Sequence, residues 1–120
     1  MTSPKVTIIV SPRERFSESV ALLTSIYSDT STPFDLIHVD AGSPPAVAAD
    51  LERMRQKYAF KLIRTDHILT PNEARNLAIP EAKIPWVMFV DNDVIIEDGW
   101  LGRLYRKPFI EQRRLAGLPV

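Results

Sequence analysis

The sequence contains no cysteine, which excludes a disulfide framework, a thiolate zinc site and a cysteine nucleophile. Its two histidines, His38 and His67, are too few for a histidine-rich metal site. Fifteen Lys and Arg residues balance fifteen Asp and Glu residues, so no overall positive field is available to hold nucleic acid or an anionic membrane. No apolar run approaches the ~20 residues that span a bilayer. We therefore expect a cytoplasmic protein with no membrane span and no nucleic-acid partner.

Glycine is also scarce, and its positions exclude two common nucleotide-binding loops. A P-loop needs a glycine-rich turn followed by Lys and Ser or Thr, and a dinucleotide-binding fold needs closely spaced glycines after its first strand. The first apolar run ends instead in Ser11-Pro12-Arg13-Glu14-Arg15. The four glycines of the chain are Gly42, Gly99, Gly102 and Gly117.

Length and patterning favour one α/β domain. A chain of 120 residues matches a single domain with its own core. Short apolar runs alternate with segments whose apolar residues recur every three or four positions, as on one face of a helix. The predicted strands are 6–10, 36–39, 60–63 and 86–90, and the predicted helices are 17–28, 45–58 and 72–77, with a break at Pro80. This alternation predicts a parallel sheet with right-handed crossovers.

Polar clusters follow three of the predicted strands, at 11–15, 40–43 and 91–93. Ligands of parallel α/β sheets bind outside the carboxyl ends of the strands, so the three clusters are expected at one edge. On extended backbone the side chains of Asp91 and Asp93 point the same way, and hard cations such as Mg²⁺ or Mn²⁺ prefer carboxylate oxygens. Such a pair can hold a diphosphate through a metal. A polar turn at a strand end is the alternative.

Four short segments stand in a characteristic order: Val6-Thr7-Ile8-Ile9-Val10, Ile37-His38-Val39-Asp40-Ala41-Gly42-Ser43, Ala74-Arg75-Asn76 and Val87-Met88-Phe89-Val90-Asp91-Asn92-Asp93. In this order they resemble family 2 glycosyltransferases of the GT-A fold, over about residues 5 to 104. The resemblance implies an α/β, Rossmann-like three-layer sandwich with a mostly parallel sheet, truncated relative to the family. It further implies inverting transfer of a sugar from a nucleoside diphosphate sugar, with a UDP-sugar favoured, to a saccharide or other hydroxyl acceptor.

The resemblance also assigns roles to single residues. It implies that Asp40 accepts a hydrogen bond from the nucleoside base, whereas the local alternative is an aspartate that caps the turn before Gly42. Asp93 is implied as a direct ligand of Mn²⁺ or Mg²⁺, with Asp91 nearer the ribose or a metal-bound water. Arg75 matches an arginine near the donor site of the family, and a solvated helix charge is the alternative.

The segment after the first predicted strand departs from the family pattern. Family members often carry Pro-Thr-Tyr-Asn-Arg there, and in this chain Glu14 replaces the asparagine. Pro12 and Arg15 are the predicted nucleotide contacts of this segment. An acidic Glu14 beside a diphosphate is unfavourable unless Arg13 or Arg15 offsets its charge. Exposed loop charges are the alternative interpretation of the two arginines.

The general base that an inverting transfer needs is missing from the pattern. Family members carry this Asp or Glu in a second half, well beyond the acidic motif. We therefore expect residues 1–104 to be a partial nucleotide-sugar-binding domain and residues 105–120 to begin a missing acceptor half. Two alternatives stay open. One is a non-catalytic nucleotide-binding or assembly module, and the other is a receiver-like or flavodoxin-like domain whose strand-end aspartates take phosphate or Mg²⁺.

The last predicted strand, 86–90, has a further consequence. A sheet that stops there leaves an open edge, and the apolar residues that follow it lack cover. We expect a second copy of the chain or a partner chain to cover this edge, unless the chain is a piece of a longer enzyme.

Overall fold

The computed structural model describes residues 4, 6–11, 18–30, 33–84, 86–91 and 112–114, and of residues 18, 91 and 112–114 the backbone alone. The strands are β1 Val6–Ser11, β2 Phe34–Ala41, β3 Lys61–Thr65, β4 Trp86–Asp91 and β5 Gln112–Arg114. The helices are α1 Glu18–Asp29, α2 Pro45–Tyr58 and α3 Pro71–Ala78, and a single 3-10 turn, Ile79–Glu81, follows α3. Among these residues no helix has the length and apolar character to cross a bilayer.

All five strands join one sheet, in the order β3-β2-β1-β4-β5. Strands β1 to β4 are parallel, and β5 pairs antiparallel with β4. The chain runs outward from β1 through β2 to β3 and then crosses to β4 on the other side of β1. The direction of connection therefore reverses between β1 and β4, which is the topological switch point where open α/β sheets bind their ligands.

Helices cover both faces of the sheet, and β1 is buried along its whole length. This burial explains why its sequence is an unbroken apolar run rather than an alternating one. One core lies under α1 and α2, and its buried members are Val6, Ile8, Val10, Leu22, Leu23, Ile26, Leu36, Leu51, Phe60, Met88 and Val90. The other lies under α3, with Ile9, Ile37, Val39, Ala41, Leu69, Ala74, Ala78, Ala82 and Val87. The predicted three-layer sandwich with a mostly parallel sheet is confirmed.

Local signals explain how α3 begins and ends. Thr70 and Glu73 form a capping box, in which Thr70 Oγ1 accepts from the Glu73 N–H at 3.2 Å and Glu73 Oε1 accepts from the Thr70 N–H at 2.9 Å. Pro71 occupies the first turn, where a missing N–H costs nothing. The break predicted at Pro80 is confirmed, because the chain passes into the 3-10 turn there.

The strand β3 lies at the edge of the sheet, which accounts for its mixed sequence. The strand extends from Lys61 to Thr65, whereas the sequence predicts a strand over 60–63. Lys61 and Arg64 are exposed, and an edge strand tolerates such charges because one of its sides has no strand partner.

The sheet does not stop at the strand 86–90, so the condition on which an open edge was expected is not met over its whole length. Strand β5 continues it, with Trp86 opposite Arg114 and Met88 opposite Gln112. This pairing is made by backbone groups. The sequence of β5 is polar and lacks the β-branched and aromatic residues that are enriched in strands, so it does not predict a strand. The chain itself thus covers the first half of this edge, and a second copy or a partner chain stays a prediction for the rest.

Candidate functional site

The carboxyl ends of the four parallel strands meet at one edge of the sheet. Ser11 of β1 is the Cα partner of Asp91 of β4, and Asp40 of β2 is the partner of Arg64 of β3. Strands β2 and β4 flank β1, so this edge holds Asp40 on one side of the switch point and the backbone of Asp91 on the other. A ligand that lies across the edge can contact all four strand ends.

Asp40 is a buried carboxylate with three hydrogen bonds. Its side chain is 2% exposed. Its Oδ1 accepts from the backbone N–H of Ser43 at 3.2 Å, and its Oδ2 accepts from the Ser43 hydroxyl at 2.8 Å and from Arg64 Nε at 3.2 Å. These contacts supply the pairing that a buried charge requires. They show that Asp40 caps the turn after β2, while its contact with a base stays a prediction.

Gly42 allows the turn after β2 to pack against the loop after β3. Its φ is +77°, a left-handed conformation that glycine adopts at little steric cost. Its N–H donates to the Thr65 carbonyl at 3.1 Å, and a Cβ at this position would lie 3.3 Å from the carbonyl carbon of His67. The two loops therefore form one surface beside Asp40, on which Ile68 is 77% exposed.

Arg64 is a functional candidate that the sequence analysis did not identify. Its Nε bonds Asp40, and its Nη2 donates to the carbonyl of Ala48 in α2 at 3.1 Å. The side chain is 45% exposed, so it is the outer member of a pair whose inner member is buried. The sequence marks Arg64 only as an interruption of a strand. The missing signal is the parallel register of β2 and β3, which places Arg64 opposite Asp40.

Arg75 lies on α3 and packs against β4. Its guanidinium carbon is 4.8 Å from the centroid of the Phe89 ring, a distance typical of a cation–π contact. Its exposure is intermediate, so the guanidinium both packs on Phe89 and reaches solvent, and the alternative of a solvated helix charge stays open. Phe89 precedes Asp91 by two residues, and Arg75 therefore stands close to the carboxyl end of β4. Its part in a donor site stays a prediction.

The predicted metal ligands are only partly within the described structure. Pro12, Arg15 and Asp93 lie outside the described residues, and so does the side chain of Asp91. Among the side chains that the structure describes, no group of three or more acidic residues or histidines is placed to hold a metal ion. Two carboxylates are nevertheless a donor set that suits Mg²⁺ or Mn²⁺.

Ser11 carries a buried hydroxyl at the switch point. The residue is fully buried, and its Oγ has no hydrogen-bond partner among the residues that the structure describes. Buried polar groups are paired in most proteins, and Thr7 Oγ1 near the other end of β1 likewise has no partner among the described residues. The Cα partner of Ser11 is Asp91, which puts the Ser11 hydroxyl beside the predicted acidic motif.

His38 is a core residue two positions before Asp40. It is fully buried on β2 and meets the ring of Phe60 edge-on, at 6.5 Å between ring centroids. Burial lowers the pKa of His38 to about 4, and the nearby charge of Asp40 opposes this only in part. The imidazole is therefore neutral at pH 7 and belongs to the packing of the strand.

A separate cavity opens at the amino ends of β2 and β3, on the opposite edge of the sheet. Its volume is about 390 Å³. Aromatic and charged side chains line it, among them Tyr27, Tyr58, Asp35, Lys61 and Lys83. None of the predicted site residues within the described part of the chain contributes to this lining, so the cavity is distinct from the carboxyl edge.

Comparison with known sequences identifies relatives of the chain. A family model described as glycosyl transferase family 2 matches residues 7–112. An uncharacterized glycosyltransferase of Haemophilus influenzae is 33% identical over 90 residues, which make up 73% of this chain and 29% of that protein.

Solved structures with a similar fold include proteins that bind nucleotide sugars. S. aureus TarS 1–349 in complex with UDP-GlcNAc is 27% identical, with a TM-score of 0.68 over 82% of this chain and 29% of that one. The mannosyltransferase PcManGT of Pyrobaculum calidifontis, in complex with GDP-Man and Mn²⁺, has a TM-score of 0.73 over 90% of this chain and 34% of that one. At 20% identity this second likeness shows the fold alone. The chain thus spans about a third of the length of these relatives.

Proposed function

Because the chain belongs to glycosyl transferase family 2, we propose that it binds a nucleoside diphosphate sugar, preferably a UDP-sugar, as the donor part of a glycosyltransferase. The observation that carries the proposal is the carboxyl edge at the switch point between β1 and β4. There the buried Asp40, the Ser11 hydroxyl, which no described residue pairs, and the end of β4 at Asp91 lie on adjacent strands. The binding of UDP-GlcNAc by TarS supports the choice of nucleotide.

Each predicted contact has a place in this proposal. Asp40 accepts an N–H of the base, and Arg75, held against Phe89, offers positive charge to the diphosphate. Pro12 and Arg15 contact the nucleotide from the segment after β1. Positive charge from arginine is worth most beside a diphosphate, where charge-assisted hydrogen bonds are strong.

Asp91 and Asp93 are proposed to hold Mn²⁺ or Mg²⁺. When bound, the metal neutralises negative charge on the diphosphate leaving group. The protein's own contribution is to place two carboxylates after a buried strand, where β4 fixes the backbone of Asp91 against Ser11.

We further propose that the acceptor site and the general base lie in a second region of the enzyme. This region corresponds to the portion of the relatives that this chain does not match. Transfer with inversion to a saccharide or other hydroxyl acceptor needs both that site and that base. The match covers 29% of the H. influenzae relative and 29% of TarS 1–349. On this proposal residues 1–104 bind the donor, residues 105–120 begin the acceptor half, and the protein acts in the cytoplasm. A nucleotide-binding module without transfer activity is the second candidate.

Calorimetric titration of UDP and then GDP tests the donor site. We expect UDP to bind in the presence of Mn²⁺, binding to be lost in EDTA, and Asp93→Ala to abolish it. Asp35→Ala is the matched control, because Asp35 is an exposed carboxylate at the start of β2, on the opposite edge of the sheet. Nucleotide binding that neither EDTA nor Asp93→Ala reduces would contradict the metal site, and the absence of any nucleotide binding would contradict the donor role.

A further inference from the structure

Hydrogen bonds from the described residues leave one acceptor position of the Asp40 carboxylate unoccupied. An ionised carboxylate has about four positions at which it accepts hydrogen bonds. Ser43 occupies one on Oδ1 and one on Oδ2, and Arg64 occupies the second on Oδ2. The position that remains is on Oδ1, the oxygen that Arg64 does not contact.

The guanidinium of Arg64, which bonds this carboxylate, has further N–H groups that the described residues do not use. Arginine has five N–H groups in a rigid plane. Within the described residues two of them are used, one on Asp40 and one on the carbonyl of Ala48. These two contacts fix the plane between β2 and α2, and the side chain is 45% exposed to solvent. Asp40 thus offers an acceptor position, and its partner Arg64 offers further donors.

We propose that Arg64 determines which base the donor site accepts, by donating to a base carbonyl next to the N–H that Asp40 accepts. The inference rests on the proposed donor function. Uracil presents an N–H beside a carbonyl oxygen, and guanine presents the same pair on its N1 and O6 edge. Cytosine and adenine present a ring nitrogen acceptor beside an amino group, which is the opposite arrangement. Asp40 and Arg64 therefore favour a base edge with an N–H beside a carbonyl, as in uracil or guanine. They disfavour an edge with a ring nitrogen acceptor beside an amino group, as in cytosine or adenine.

UDP and CDP are the sharpest probes, because they differ only along this edge of the base. If Asp40 and Arg64 pair with the N–H and the carbonyl of uracil, they lose both hydrogen bonds when cytosine takes its place. Polar groups of a binding site that are left unpaired in this way weaken binding strongly. We expect the wild-type protein to bind UDP at least ~10-fold more tightly than CDP in the presence of Mn²⁺. GDP is expected to bind if the pocket admits a purine.

Titration of both nucleotides into Arg64 variants tests the role of the arginine. Arg64→Gln removes the charged fork, so we expect the UDP to CDP ratio of affinities to fall towards one while the CDP affinity changes by less than about two-fold. Arg64→Lys keeps the charge but not the two-point contact, and we expect the ratio to fall there as well, which keeps the test valid if Arg64→Gln does not fold. Arg53→Gln is the control, since Arg53 is an exposed arginine of α2 paired with Asp50.

An unchanged ratio in both Arg64 variants would overturn the inference. So would an equal loss of UDP and CDP affinity, because that is the signature of a purely structural arginine. Both results leave the proposed donor site intact. If the wild-type protein binds no nucleotide at all, the proposed function itself is overturned, and the role of Arg64 with it.

Discussion

Ser11 and Asp91 are Cα partners at the carboxyl ends of β1 and β4. Because the connections reverse direction between these two strands, this pair lies at the topological switch point, where open α/β sheets bind their ligands. The hydroxyl of Ser11 is buried and unpaired within the described structure. On the proposed function this hydroxyl contacts the donor, and the alternative is a role in folding.

Replacement of Ser11 separates these two roles. We expect Ser11→Ala to change the free energy of unfolding by less than about 1 kcal/mol, because removal of an unpaired buried hydroxyl also removes its desolvation cost. We expect UDP affinity to fall several-fold, as for the loss of one hydrogen bond, about 1 kcal/mol. Urea denaturation and calorimetry measure the two quantities.

Thr7→Val is the matched control for Ser11→Ala. Thr7 also lies on β1 and has a buried hydroxyl without a partner among the described residues, but it stands near the amino end of the strand. Its replacement should leave UDP affinity unchanged. An equal loss of affinity in both variants would show that Ser11 acts through the strand and not at the donor site.

His38 predicts a specific loss of stability in acid. Its folded pKa of about 4 lies below its ordinary value of 6.5, so between these values the unfolded chain binds the proton and the folded protein does not. Stability is therefore fully present above pH 6.5 and falls as the pH drops towards 4. The loss attributable to His38 is about 2 kcal/mol at pH 5.

Comparison of pH-dependent denaturation with His38→Leu isolates this contribution. The variant should lose less stability than the wild type between pH 7 and pH 5. His67→Gln serves as the control, since its imidazole is exposed rather than buried. Parallel profiles for wild type and His38→Leu would mean that His38 is not buried in the neutral form.

Two residues of the described structure have a positive φ, and they predict substitutions of opposite sign. Gly42→Ala should destabilise the protein by about 1–2 kcal/mol, because a side chain is strained at a φ of +77° and its Cβ would press on the backbone of His67. Ala59 has a φ of +60° at the end of α2, so Ala59→Gly should be neutral or stabilising by up to about 1 kcal/mol. Thermal denaturation checks both, and destabilisation of similar size at both positions would contradict the backbone explanation.

Arg75 is expected to serve the diphosphate more than the fold. Arg75→Gln removes the charge that packs on Phe89, and such a contact contributes about 0.5–1 kcal/mol to stability. We expect UDP affinity to fall ~10-fold or more, but uridine, which lacks the diphosphate, to be unaffected. Equal effects on UDP and uridine would place Arg75 away from the phosphates.

The sequence predicted the architecture because its signals are periodic. The apolar run of β1 and the helical spacing of Val47, Leu51, Met54 and Tyr58 require only local patterns, and burial confirms Leu51 in the core. The family pattern also led to Asp40 and Arg75 before any contact was known. Both proved to be held by neighbours, one by Ser43 and the other by Phe89.

What the sequence did not predict depends on contacts between distant segments. Strand β5 consists of Gln112, Arg113 and Arg114, and only its backbone pairing with β4 makes it a strand. Arg64 becomes a site candidate only because the register of β2 and β3 places it opposite Asp40. Neither feature has a local period or motif from which it could be inferred.

The location of bound UDP can be measured residue by residue from the shifts of backbone amide signals in a ¹⁵N-labelled sample with Mg²⁺. We predict that the shifts on titration with UDP concentrate at the carboxyl edge, at Ser11, Gly42 and Ser43, while Asp35 and Lys61 at the amino edge stay unchanged. Shifts confined to the amino edge, or none at saturating UDP, would contradict a donor site at the switch point between β1 and β4.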